Sequence, residues 1–208
     1  MFAELASRRE EGLDLDVLVY QFDTAMLGIS SAAVGGGIGE RRWAFNAQVS
    51  ADYHREDLST HMCELAQTLS LEGPGVGMLT AAKVARRTRA MVEGVDAEAT
   101  TGLSHPTWAA SDEHEANAVG TINTVIFVPV RLSDGALVNA ISTATEAKSQ
   151  ALFEAGIPAT GTASDAVSLF CPTVGDIESF AGPRSPWGAR IARAVHQTVL
   201  SGARAWTP

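Results

Sequence analysis

Cysteine is scarce: the 208 residues hold only Cys63 and Cys171. Two thiols cannot build a disulfide framework, and neither lies in a CxxC or Cys/His metal spacing. They are expected to be buried thiols in a reducing cytoplasm. The histidines, His54, His61, His105, His114 and His196, are dispersed, with no i,i+4 or HxH pair. A helical zinc site is therefore not expected. No apolar run approaches the ~18 residues of a membrane span. The opening MFAELASRREEG lacks the apolar stretch of a secretory signal. Basic residues are few: 15 Lys and Arg against 24 Asp and Glu, a formal net charge of −9. A chain this acidic is poorly suited to phosphate backbones, which excludes general nucleic-acid binding. No GxSxG elbow and no Cys/His nucleophile signature occurs, so no ready-made hydrolase triad is visible.

What is present describes a globular protein. Hydrophobic residues make up 46% and charged residues 19%, the latter below the roughly 25% usual for soluble domains, which argues against disorder. Residues 1–12 are polar and read as a frayed or short helical lead-in; residues 13–208 read as one domain. LDVLVYQF and TAMLGIS read as two tightly joined strands, and RRWAFNAQV as another. Leu58, Met62, Leu65 and Leu69 form one stripe of a helix over 57–70, with Asp57 at its N-cap. TRAMVEG and VDAEATTGL read as a hairpin around Gly94, and Ser104 to Asn117 as an acidic loop. GTINTVIFVPV is the strongest strand signal. Residues 134–155 read as a helix, GTASDAVSLFCP as a glycine-led turn into a strand, and Ser185-Pro186 as a helix start. Strands outnumber helices and several are hairpin-linked. The expected fold is α+β: a layered single domain whose mixed or largely antiparallel sheet is covered by about three main helices.

Several local patterns have both a functional and a plain reading. Gly35 to Gly39 precede a strand rather than a helix, which argues against a dinucleotide fingerprint. The run is either a loop whose backbone closely approaches a ligand or a wide turn between strands. In the 134–155 helix, Ala140, Ala144, Ala147 and Ala151 share one face, and Lys148 falls inside the apolar arc. A lysine there must snorkel or find a carboxylate. Asp165, in ATGTASDA with Thr160, Thr162 and Ser164, is the best partner; its plain reading is an Asx or capping turn. Glu146, on the other side of the helix, reads equally as a solvated residue. His61 reads as a packed histidine beside an apolar stripe, and His196 as exposed. Lys83, Arg86, Arg87 and Arg89, and Arg184, Arg190, Arg193 and Arg204, form two basic clusters that either meet an anionic ligand group or face solvent.

Taken in order, SSAAVGGGIG, WAFNAQV, GVGMLTAA, GTINTVIFVP, TATEAK, ATGTASDAV and GPRSPWGARIARAV resemble the adenosylcobinamide amidohydrolases, the CbiZ family. The resemblance runs from about Leu18 to about Ala203, with TATEAK just before ATGTASDA its most specific part. It implies a corrinoid-salvage amidohydrolase that cleaves the aminopropanol amide of adenosylcobinamide to give adenosylcobyric acid. The cobalt corrinoid is substrate, and no cofactor or metal site is implied. The alternative is a non-catalytic corrinoid-binding or carrier protein. The positions inside matching motifs are Gly35, Gly36, Gly37, Asn46, Thr80, Asn123, Thr160 and Gly161 for substrate binding, and Glu146, Lys148, Asp165 and Thr162 for catalysis. Ser164 departs from an expected threonine but keeps a hydroxyl. His105 lies in a looser segment, and Trp108 is either a stacking surface or a loop anchor.

Amide hydrolysis needs an activated nucleophile, a stabilised oxyanion and a proton for the leaving amine. One version has Asp165 or Glu146 activate water, with Lys148 stabilising the oxyanion or supplying the proton and the Gly161 turn lending backbone N–H groups. The other makes Thr162 a covalent nucleophile assisted by Lys148. The expected partner is a small-molecule corrinoid, in the cytoplasm, with no membrane span and no nucleic acid; homo-oligomerisation is left open.

Overall fold

The computed structural model describes residues 3–112 and 120–207. His114 and the rest of the acidic loop's centre lie outside the described residues. Among the described residues, ten strands and three helices follow in the order β1 (Glu4–Glu10), β2 (Leu13–Ser30), β3 (Gly37–Gln48), α1 (Leu58–Thr68), β4 (Gly75–Thr80), β5 (Thr88–Val92), β6 (Val95–Gly102), β7 (Thr121–Phe127), β8 (Arg131–Leu132), α2 (Asp134–Glu154), β9 (Ala166–Pro172), β10 (Ile177–Glu178) and α3 (Pro186–Ala205). The main sheet runs β4-β3-β2-β9-β7-β6-β5, with β1 beside β2. Only β3–β4 and β7–β9 are parallel within it. These are the two pairs joined through helices, α1 and α2, as a parallel crossover requires. The sheet is mixed and mostly antiparallel, and three helices cover it, as the sequence predicts.

Two expectations near the N-terminus are corrected. Residues 4–10 are not a frayed or helical lead-in: they form β1, antiparallel to β2 with Glu4 opposite Val19 and Glu10 opposite Leu13. Glu11 and Gly12 take positive φ, 50° and 83°, the twist that a two-residue hairpin turn needs. LDVLVYQF and TAMLGIS are one strand and not two. Its register against β3 shifts between Gln21 and Met26, so Phe22 to Ala25 stand opposite Arg42 alone. This bulge lets one edge of β2 serve two neighbours: β1 pairs with Leu13 to Val19, and β9 with Met26 to Ser30.

The sheet curls strongly. Asn46 on β3 reaches Thr100 on β6, and Asn123 on β7 reaches the Leu79 carbonyl on β4, although β2 and β9 lie between. The helices lie on the convex side. Val17, Val19, Trp43, Phe45 and Ala47 pack on Met62 and Leu65 of α1. Ile122, Ile126, Val167 and Leu169 pack on the alanine face of α2 and on Ile191, Val195 and Val199 of α3. The concave side encloses Leu18, Tyr20, Phe22, Val76, Met78, Phe127 and Phe170, plus Val84 from the 3-10 turn that joins β4 to β5. No helix among the described residues is long and apolar enough to cross a membrane.

Candidate functional site

Lys148 is carried to the site by the small-residue face of α2. Ala140, Ala144 and Ala151 are fully buried, so the helix lies close on the sheet and its lysine enters the interface. Only 8% of the Lys148 side chain is exposed, and its Nζ donates to Asp165 Oδ2. The apolar-arc lysine does find its carboxylate. Asp165 ends the turn before β9, and 12% of its side chain is exposed. Its Oδ1 accepts from the Ile122 backbone N–H at 2.9 Å and from Thr162 Oγ1 at 2.5 Å. Its Oδ2 accepts from the Thr162 backbone N–H at 3.1 Å as well as from Lys148. Three N–H donors thus converge on one carboxylate, and the single proton of the Thr162 hydroxyl lies between it and the Gly120 carbonyl.

The surrounding loops are stitched to this centre. Thr162 Oγ1 lies 2.7 Å from the Gly120 carbonyl, which Ser164 Oγ also reaches at 2.9 Å; Ser164 Oγ meets Thr121 Oγ1 at 2.6 Å. Gly161 is required by close approach: a Cβ there would fall 2.2 Å from Asp165 Oδ2 and 2.3 Å from Lys148 Nζ. Thr160 Oγ1 accepts from the Ala109 N–H at 2.8 Å, and the Thr107 N–H donates to the Gly161 carbonyl at 2.8 Å. Trp108 is held between these two bonds with half its surface exposed, on the rim of the site. His105 lies in the same segment, with its carbonyl accepting from Thr107 Oγ1 at 3.3 Å.

A second polar group lies on the concave side. Asn123 Nδ2 donates to Asn46 Oδ1 and to the Leu79 carbonyl, both at 2.9 Å, and Asn46 Nδ2 donates to Thr100 Oγ1 at 2.9 Å. All three side chains are buried. Thr80 is buried beside Leu79, its hydroxyl accepting from the Ala82 N–H at 3.1 Å. The two groups adjoin through β7, because Ile122 donates its N–H to Asp165 and the next residue is Asn123.

The glycine run reaches the same end of the sheet, where the Ser31 N–H donates to the Val167 carbonyl at 3.0 Å. Gly35 has φ 71°, and a Cβ there would lie 2.0 Å from the Gly75 carbonyl; one on Gly36 would lie 2.3 Å from the Ala32 carbonyl. Arg41 donates to the Gly35 carbonyl at 2.9 and 3.1 Å and to the Gly36 carbonyl at 3.2 Å. Gly37 has φ 80° and open space where a Cβ would sit. Gly35 therefore answers to backbone packing on β4, Gly36 to packing inside its own loop, and Gly37 to its positive φ alone.

Glu146 is not brought to this centre. It is exposed on the far side of α2, where with Arg193 and His196 it lines a groove of about 230 Å³ against α3. His196 is part-buried and not exposed, its Nε2 3.0 Å from Glu154 Oε2. Of the two thiols, Cys171 is buried and held above the usual thiol range by that burial, whereas Cys63 is exposed and corrects the expectation. Half of the residues in the basic clusters are spent on protein carboxylates: Arg87 on Glu98, Arg89 on Asp96, and Arg190 and Arg193 on Glu93. Among the described residues, no three His, Cys, Asp or Glu side chains gather as metal ligands.

Sequence reasoning missed Thr100 and the Ile122 N–H. Thr100 continues the alternation Asp96, Glu98, Thr100, which reads as a solvent face; the curl of the sheet turns that face inward, where Glu98 meets Tyr20 and Arg87. The Ile122 N–H, a backbone group, leaves no sequence signal.

The sequence profile of the adenosylcobinamide amidohydrolases matches residues 3–208. A Methanosarcina mazei protein named adenosylcobinamide amidohydrolase is 31% identical over 181 residues, covering 83% of this chain and 88% of its own. A Halobacterium salinarum protein of the same name is 35% identical over 109 residues, covering 49% of this chain and 46% of its own. Among solved structures, a Pyrococcus horikoshii protein aligns at a TM-score of 0.48 and 11% identity over 91% of this chain and 76% of its own. The chain belongs to the adenosylcobinamide amidohydrolase family.

Proposed function

We propose that this hydrolase cleaves the amide joining the aminopropanol arm to the corrin ring of adenosylcobinamide, giving adenosylcobyric acid and aminopropanol. The observation that carries the mechanism is the Thr162 hydroxyl, 2.5 Å from Asp165 Oδ1. A carboxylate offers about four lone-pair directions; three of those of Asp165 are taken by N–H donors from Lys148, Ile122 and Thr162, and the fourth faces the Thr162 hydroxyl. No direction is left to hold an attacking water, and Glu146 is too far round α2 to replace it. This favours the covalent version over direct attack by water.

Thr162 Oγ1 attacks the carbonyl carbon, its proton passes to Asp165, and the carbonyl oxygen becomes an oxyanion. Collapse breaks the C–N bond, and the leaving amine takes that proton. Water then adds to the ester, again through Asp165, releasing the acid and restoring the hydroxyl. Lys148 holds the second oxygen of Asp165 and so keeps the first aimed at Thr162. The exposed Trp108 at the rim supplies an apolar face for a large, flat substrate.

The test is incubation with adenosylcobinamide, with the acid and the amine read by mass spectrometry. A corrinoid absorbance shift without products would mark a carrier and overturn the reading. Thr162→Ala is expected to lower turnover about 10²- to 10⁴-fold, and a rapidly quenched wild-type reaction is expected to carry the corrinoid acyl mass on Thr162. Full turnover by Thr162→Ala would restore the water mechanism.

A further inference from the structure

The polar group inside the curled sheet has an unused acceptor. The Leu79 carbonyl can only accept, so Asn123 must turn its Nδ2 toward it. The same Nδ2 supplies Asn46 Oδ1, which turns Asn46 Nδ2 toward Thr100. The orientation of both amides is thereby fixed. Both protons of Asn123 Nδ2 are used, and its Oδ1 accepts from nothing among the described residues. Asn46 Nδ2 has likewise spent only one of its two protons. Each residue is 2% exposed. Asn123 Oδ1 is not one of the fully enclosed polar atoms that lack a partner, so it keeps a little accessible surface through which a ligand or a water reaches it.

The position of the pair sharpens the question. Asn123 stands opposite Thr100 on β6 and Ala166 on β9, one residue beyond Asp165. The loops that carry Thr162 and Ser164 close over this end of the sheet, through Gly120 and Thr121. An idle carbonyl oxygen next to an idle amide proton is the complement of a carboxamide, which offers one N–H and one C=O. It is a poor complement of a carboxylate, which offers no N–H and brings a charge against the Asn123 carbonyl dipole.

We propose that Asn46 and Asn123 form a carboxamide-recognition subsite. Asn123 Oδ1 accepts the N–H, and Asn46 Nδ2 donates to the C=O, of an amide side chain on the rim of the corrinoid, beside the ring arm that is cleaved. This rests on the corrinoid reading of the previous section and adds a rule to it: the enzyme selects ring substituents that are already amidated.

The experiment compares dissociation constants for two corrinoids on Thr162→Ala protein, which holds ligand without turning it over. One carries carboxamides around the ring, and the other is the same ring with peripheral carboxylates in their place. The amide form is expected to bind at least about tenfold more tightly, the scale of one good hydrogen bond to a buried acceptor. Adding Asn123→Ala is expected to abolish that ratio while the carboxylate form keeps its affinity. A merely structural role would weaken both ligands together. A preference that survives Asn123→Ala, or none in the presence of Asn123, would mean that the pair holds an ordered water only, and overturns the proposal. If Asn123→Ala does not fold by circular dichroism, Asn46→Ser carries the same comparison. Failure of the hydrolysis reading shows separately, as wild-type protein that binds the amide form selectively and releases no product.

Discussion

At the scale of single residues, the fold depends on a charge pair that it can hardly afford to break. Lys148 and Asp165 are 8% and 12% exposed at their side chains, too dry to be left alone. Replacing one partner strands the other away from water. Lys148→Met keeps the stem's packing and removes only the ammonium. It is expected to cost about 3–5 kcal/mol, measured by urea denaturation. The double change Lys148→Met with Asp165→Asn is expected to recover part of that loss, because no charge is then stranded and the amide oxygen still accepts from the Ile122 N–H. A single-variant loss below about 1 kcal/mol would mean that the pair is open to solvent. The pair was legible in the sequence for a physical reason. A lysine at an apolar angle of a helix demands a carboxylate, and few acids lie in a segment of small residues. The Asn46–Asn123–Thr100 group was only half legible. Its asparagines stand inside family-like motifs, and nothing in a single sequence announces that β3 will curl over to face β7.

At the scale of elements, the ends of helices separate a capping residue from a look-alike. Ser185 caps α3: its side chain accepts from the Gly188 N–H at 3.1 Å. Asp57 occupies the N-cap position of α1 but makes no side-chain capping bond; Arg55 takes its carboxylate at 2.8 and 2.6 Å. Ser185→Ala is therefore expected to cost about 0.5–2 kcal/mol, whereas Asp57→Ala loses only an exposed ion pair and stays within about 1 kcal/mol. Equal losses from the two, in denaturant titrations run side by side, would contradict the assignment. The sequence identifies both helix starts from the same residue class; only the geometry tells which side chain turns back to the backbone. The same limit explains β1. ELASRRE is too polar to announce a strand, and its partner LDLDVLV reads as the start of the fold. The Glu11-Gly12 turn was the available signal, and it counts only when the polar run before it is allowed to be a strand.

At the scale of the whole molecule, β1 is an edge strand, and a cluster of titratable groups ties its end to α1. His61 of α1 is buried, with Nδ1 2.8 Å from the Tyr53 hydroxyl and Nε2 2.9 Å from Glu10 Oε1. Arg8 holds the other oxygen of Glu10 at 2.6 Å and donates to the Gln48 carbonyl at 2.7 Å. The Nε2–Glu10 approach lacks hydrogen-bond geometry, so the bond to Tyr53 orients the ring. Burial, with Arg55 and Arg8 nearby, lowers the His61 pKa from the ordinary 6.5, against the pull of Glu10 and Glu64. The unfolded chain therefore takes up a proton near pH 6.5, and the folded chain only at lower pH. Between those points the unfolded state binds more protons, so stability falls as the pH drops below about 6.5 and is flat above it. Asp57 and Glu154, whose carboxyls are held below their ordinary values by Arg55 and by Gln150, act in a more acidic range and do not mask the effect. Denaturation midpoints at pH 7.5, 6.5 and 5.5 are expected to decline in the last interval for wild type and to decline less for His61→Gln. Amide exchange in β1 is expected to quicken over the same interval, ahead of β7 and β9 at the centre of the sheet. A wild-type midpoint unchanged at pH 5.5 would mean that His61 folds in charged, with Glu10 compensating its burial in full.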